Sequence, residues 1–137
     1  QRLGRISEAV AEMRAVAARR PSDPVTLNAL GYTLVDESIA IEEGQRLIER
    51  ALEAKPDSFA IQDSMGWALV RLGRLDEGRT WLERAWDSSR DPEVAAHLGE
   101  TLWLQGRSDD ARRIWDAALA ENPESTPLLR AIERHPR

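Results

Sequence analysis

The stretch Asp63-Ser64-Met65-Gly66-Trp67-Ala68-Leu69-Val70-Arg71-Leu72-Gly73-Arg74-Leu75-Asp76-Glu77-Gly78 reads as one helix, a tight glycine turn and the opening of a second helix. The pattern recurs. Leu30-Gly31 leads to Leu34, Met65-Gly66 to Leu69 and Leu98-Gly99 to Leu102, with the three glycines 35 and 33 residues apart. Self-similarity at about 34 residues, with a helix–turn–helix in each period, is the mark of a helical repeat array. One unit cannot bury its apolar face alone; stacking on a neighbour buries it continuously.

Upstream, Leu3-Gly4-Arg5-Ile6-Ser7-Glu8-Ala9 matches Leu72-Gly73-Arg74-Leu75-Asp76-Glu77-Gly78 and Gln105-Gly106-Arg107-Ser108-Asp109-Asp110-Ala111. Each is a Gly-Arg turn followed by an acidic first helical turn, which suits the positive end of a helix. Residues 1–21 are therefore expected to be the second helix of a unit whose first helix is absent, as in a fragment of a longer array. Ser22-Asp23-Pro24 starts a helix with Asp as N-cap and Pro in the first turn, a device repeated at Arg90-Asp91-Pro92 and Ser125-Thr126-Pro127. Full units are read over 22–56, 57–90 and 91–123, with a short capping helix in 124–137 over the edge of the stack, about eight helices in one domain. The turn Asp36-Glu37-Ser38-Ile39-Ala40-Ile41 lacks the glycine and is one residue longer, so a wider loop is expected there.

Glycine inside a helix is unfavourable by up to about 1 kcal/mol relative to alanine. Gly31, Gly66 and Gly99 nevertheless recur inside first helices, and Gly44 and Gly78 inside second helices where Ala9 and Ala111 stand in the others. Small residues at matching points predict close helix crossings. Trp81, Trp86 and Trp115, at helical spacing on apolar stripes, are read as packing.

Net charge is −5, with fewer Lys+Arg than Asp+Glu, so no nucleic-acid footprint is indicated. There is no cysteine, and no apolar run approaches the roughly 18 residues of a membrane span. Lys55 is the one lysine among 19 basic residues, a bias of GC-rich bacterial genomes.

These residues resemble the tetratricopeptide repeat family. The first full unit matches at Leu30-Gly31, Leu34, Gly44, Ile48, Ala51 and Pro56, and the second at Met65-Gly66, Leu69, Gly78, Leu82 and Ala85, with Arg90 where the family has proline. The third matches at Leu98-Gly99, Leu102, Ala111, Trp115, Ala118 and Pro123. Gln62 and Ala95 depart from the family's large apolar residue, so those helices are expected to pack less tightly or to expose a groove. The resemblance implies an all-α, right-handed superhelical solenoid of antiparallel helix hairpins. Its first helices would line a concave groove for a peptide or helix of a partner protein. A finer resemblance to the C-terminal arrays of bacterial envelope repeat lipoproteins implies an adaptor in the periplasm or at the outer membrane; without it, a cytoplasmic location is the expectation.

The groove residues expected on this basis are Asn28, Tyr32, Val35, Asp63, Trp67, Arg71, Glu100 and Trp103. Tyr32, Trp67 and Trp103 would form an aromatic ladder flanked by Asp63 and Glu100, favouring a basic or amide-rich segment. The alternative is that the tryptophans only cover the inside of the bend. Asp63, Ser64 and His97 fall at similar height on neighbouring helices, but mid-helix amides cannot form an oxyanion hole, so no enzyme is expected. With two histidines and no ligand spacing, neither a metal nor a cofactor is expected. The alternative function is self-association through the N-terminal edge or the convex tryptophan face, giving a homodimer.

Overall fold

The computed structural model describes residues 1–135, which form eight helices joined by short turns and, among these residues, no strand. They are α1 (Arg2–Arg19), α2 (Pro24–Asp36), α3 (Ile41–Ala54), α4 (Phe59–Arg71), α5 (Leu75–Ser89), α6 (Pro92–Leu104), α7 (Ser108–Glu121) and α8 (Thr126–Arg134). Pairs α2–α3, α4–α5 and α6–α7 are hairpins, stacked in chain order into an all-α solenoid. The first helix of every hairpin, and α8 as well, starts on a side-chain cap. Asp23, Ser58, Asp91 and Ser125 accept the backbone N–H of Thr26, Ile61, Glu93 and Leu128. The second helices lack such a cap and carry Glu42-Glu43, Asp76-Glu77 and Asp109-Asp110 in their first turns instead, where carboxylates favour the helix N-terminus.

The hairpin turns share one geometry. Gly73 and Gly106 take φ of +84° and +81°, and the next N–H reaches back to close the helix, Arg74 to Leu69 O at 2.9 Å and Arg107 to Leu102 O at 2.8 Å. The α2–α3 turn is indeed one residue longer, yet it keeps the device: Ser38 occupies the left-handed position at φ +55°, and Ile39 N–H donates to Leu34 O at 3.0 Å.

The helices cross where the small residues are. A Cβ on Gly31 would stand 2.8 Å from Gly44 O, and one on Gly44 only 2.6 Å from Gly31 O; Gly66 and Gly78 face each other in the same way. In the third hairpin Ala111 replaces the second glycine, and the Trp115 ring lies across Gly99, where a Cβ would fall 1.9 Å from its Nε1. Trp86 and Trp115 are buried and Trp81 is half-buried beneath the Arg84 guanidinium. Gln62 and Ala95 open no groove: both are buried, and Gln62 Nε2 donates to Pro56 O at 2.9 Å.

α1 packs on α2 through Val10, Leu30 and Leu34 and is tied to α3 by the Arg14–Glu43 ion pair at 2.6 Å. At the other end α8 buries Leu128 and Ala131, chiefly against α6 and less against α7. It runs beside α6 and covers apolar surface at the C-terminal edge of the stack. Residues 136 and 137 of the expected 124–137 cap lie outside the described residues.

Candidate functional site: the concave face

Stacking in register brings α2, α4, α6 and α8 side by side, so residues one repeat apart in sequence become neighbours. Two hydrogen-bonded pairs, Asp63–His97 and Glu100–Arg134, are each 34 residues apart. The floor of the concave face is a ring cluster around His97 on α6. Trp67 of α4 stacks on the imidazole at 4.3 Å between centroids, and Tyr32 of α2 lies tilted against it at 5.9 Å. His97 Nδ1 contacts Asp63 Oδ1 at 2.9 Å, and His97 Nε2 is 3.2 Å from the Tyr32 hydroxyl. That hydroxyl also donates to Glu93 Oε1 at 3.2 Å. Asp36, at the C-terminal end of α2, accepts the Trp67 indole N–H at 3.1 Å. Arg71 donates to the Asp36 carbonyl at 3.2 Å and to the Ser38 hydroxyl.

The electrostatics follow from this crowding. Burial pushes the Tyr32 phenol far above its ordinary range, and the carboxylates of Asp36, Glu93 and Asp63 push the same way. For His97, burial alone would lower the pKa. The Asp63 carboxylate, through charge and hydrogen bond, with Glu93 and Asp36 behind it, outweighs that and holds the imidazole above its usual value.

A cavity of about 350 Å³ opens over this floor, lined also by Asp36 of α2, Glu93 of α6, and Thr126, Pro127, Arg130 and Arg134 of α8. A second hollow of about 290 Å³ continues towards the N-terminal ends of α2, α4 and α6, over Asn28, Phe59 and Asp63.

The expected groove residues fare differently. Tyr32, Asp63, Trp67 and Arg71 converge as described, and Asn28 lines the second hollow. Val35 is sealed in the core at 0% exposure and presents no surface; the close Gly31–Gly44 crossing draws it onto α3, where a Cβ on Gly44 would meet its Cγ2 at 2.8 Å. Trp103 does not join a ladder: it stacks on Trp115 and lies tilted against His135, with the Arg112 guanidinium 5.3 Å from its ring centre. Glu100, 7% exposed, is held by Arg134 Nε at 2.6 Å and His135 Nε2 at 3.4 Å. Asp63 is likewise taken by His97, so the carboxylates facing the cavity are Asp36 and Glu93 instead. Ser64 donates to Ala60 O within its own helix and meets no base. Arg130 and Arg134 of α8 also line the cavity and are not among the expected groove residues; the recurring capped helix start at Ser125 is the signal that groups α8 with the other groove-lining helices. Among the described residues no cluster of His, Cys, Asp and Glu could hold a metal, and no helix is long and apolar enough to cross a membrane.

Comparison with known proteins agrees with this architecture. A tetratricopeptide repeat family model matches residues 62–84 and 92–117, within the second and third hairpins. The TPR repeat-containing protein PA4667 of Pseudomonas aeruginosa is 46% identical over 89 residues, which is 65% of this chain and 15% of that protein, so the chain spans a small part of it. TTC0263, a thermophilic TPR protein of Thermus thermophilus, superposes with a TM-score of 0.80 over 96% of this chain and 74% of its own, at 22% identity. The 41-end form of MamA from Desulfovibrio magneticus RS-1 gives 0.71 over 91% and 71%, at 18% identity. Those two likenesses speak to the fold. With the 34-residue register, the small-residue crossings and the sequence matches all in agreement, the chain has the tetratricopeptide repeat fold and carries tetratricopeptide repeats over residues 62–84 and 92–117.

Proposed function

We propose that the concave face binds an extended or helical segment of another protein, and that the domain is a non-catalytic scaffold. The observation that carries this reading is the convergence of four neighbouring helices on one cavity with a ring floor and both carboxylates and guanidiniums in its lining. Tyr32 and Trp67 are anchored by hydrogen bonds to Glu93 and Asp36, so they offer rigid contact area with little side-chain entropy left to lose. Asp36 and Glu93 suit a donor-rich or basic part of the segment, and Arg130 suits an acidic or carbonyl-rich part. The hydroxyl that meets the Asp63–His97 pair is the Tyr32 phenol, which burial holds protonated and which donates to Glu93, and this supports the non-catalytic reading. The finer family resemblance extends the proposal to an adaptor in the bacterial envelope. Fractionation of cells making the full-length protein tests that extension, and a wholly cytoplasmic signal overturns it.

A peptide display screen against the domain tests the binding reading. Selected binders should lose at least about tenfold in affinity with Tyr32→Ala or Arg130→Glu, the scale of an interface anchor, and keep it with Trp81→Ala on the convex face. Equal losses at Trp81 would overturn the concave site. Self-association is the competing reading, since Leu3 on α1 is largely exposed; sedimentation of the intact chain as a dimer that Leu3→Glu dissociates would favour it.

A further inference from the structure

We propose that His97 is a positioning residue of the concave face, held as an imidazolium whose two ring protons, with the Tyr32 hydroxyl proton, complete a hydrogen-bonded chain from Asp63 to Glu93. Three contacts run in series: Asp63 Oδ1 to His97 Nδ1 at 2.9 Å, His97 Nε2 to Tyr32 Oη at 3.2 Å, and Tyr32 Oη to Glu93 Oε1 at 3.2 Å. Each contact needs one hydrogen between its two heavy atoms. Two carboxylates, a neutral imidazole and a phenol supply two. With a neutral ring, either Nδ1 faces the Asp63 carboxylate bare, or Tyr32 must choose between Nε2 and Glu93, leaving two lone pairs opposed. One further proton satisfies the series from end to end, and imidazole is a stronger base than carboxylate, so the proton resides on His97.

The neighbourhood agrees. The Trp67 ring is stacked 4.3 Å from the imidazole, a placement that favours a cation over an aromatic face. Asp63 from α4, Asp36 from α2 and Glu93 from α6 are the carboxylates acting on it. Opposing them, Arg130 and Arg134 of α8 line the same cavity, and Arg71 of α4 lies 6.0 Å from the Trp67 ring centre. Two of the three are already engaged, Arg134 by Glu100 and Arg71 by the Asp36 carbonyl and Ser38. Loss of the proton would oppose lone pairs along the chain, so Tyr32, Glu93 and Trp67 would rearrange as pH rises. If the concave face is the binding site, partner affinity carries the same proton linkage, a consequence that rests on the reading above.

The test is a nitrogen-15 NMR titration of the imidazole side chains in the intact chain, with His135→Gln to assign the two histidines. The expected result is His97 protonated on both ring nitrogens at pH 7, with a midpoint above the roughly 6.5 of a free histidine. The Trp67 indole signal should move with that midpoint, and Asp63→Asn and Tyr32→Phe should each lower it. A single protonated ring nitrogen at pH 7, or a midpoint at or below that of free histidine, would overturn the proposal, even if both variants failed to fold. The titration needs no partner, so its failure leaves the concave-face reading standing, and failure of the peptide screen leaves this one standing.

Discussion

Two residues carry opposite lessons about what a side chain does at a helix crossing. Gly99 matters for what it lacks: Trp115 occupies the space of its missing methyl, so Gly99→Ala must displace an indole that is 1% exposed. Alanine would ordinarily favour the helix by up to about 1 kcal/mol. Overpacking costs typically 1–3 kcal/mol and more where a large ring cannot give way. Net destabilisation of about 2 kcal/mol by urea unfolding is expected, with loss of the Trp103–Trp115 stacking signal in near-ultraviolet circular dichroism. His97 matters for what it carries. Its pKa is raised in the folded protein, so its stabilisation is fully present below the unfolded value of about 6.5 and is lost as pH rises through the folded value. The stability difference between the wild type and His97→Gln should therefore shrink with rising pH over that window, and a difference that is constant or grows would contradict the assignment. The period made the glycine legible in the sequence. Asp63 beside His97 was legible as a plausible contact, but the placing of Tyr32 and Trp67 around it depends on superhelical pitch, which no local pattern encodes.

At the scale of the element, caps decide which helix is which. First helices open on Asp or Ser caps, and second helices on paired carboxylates. α8 opens on the Ser125 cap and packs mainly on α6. Its start is capped like those of the first helices, although at nine residues it is the shortest of the eight described helices. The consequence is energetic as well as topological. Leu128 and Ala131 are fully buried, and Arg134 neutralises a Glu100 that is nearly so. Deleting residues 124–137 exposes that apolar surface and leaves a buried carboxylate short of a partner. The expected loss is about 3 kcal/mol or more, combining roughly 2 kcal/mol for apolar burial with the cost of an unpaired buried charge. A melting curve unchanged by the truncation would contradict it. The α2–α3 turn teaches the converse: the missing glycine predicted a changed loop, but the hydrogen bond that closes the helix kept the left-handed position and placed Ser38 in it.

At the scale of the molecule, the repeat period fixes which residues become neighbours, and the small-residue crossings fix how closely they approach. The helices lie close to where the local and periodic features put them, with one correction: α1 starts at Arg2 and runs straight through Leu3-Gly4-Arg5, which is helix and not a Gly-Arg turn, since among the described residues no helix precedes it for such a turn to close. The concave face was half legible. Tyr32, Asp63, Trp67 and Arg71 converge there, whereas Val35 turned into the core and Glu100 was taken up by α8, since side-chain direction and charge pairing depend on how one hairpin rotates against the next. If this inner wall is the working surface, binding will shield it before anything else. The direct measurement is hydrogen exchange on the domain with and without a peptide taken from the display screen. Added protection is expected in α2, α4, α6 and α8, centred on the Tyr32, Trp67 and His97 segments. Protection confined to α3, α5 and α7 would contradict it.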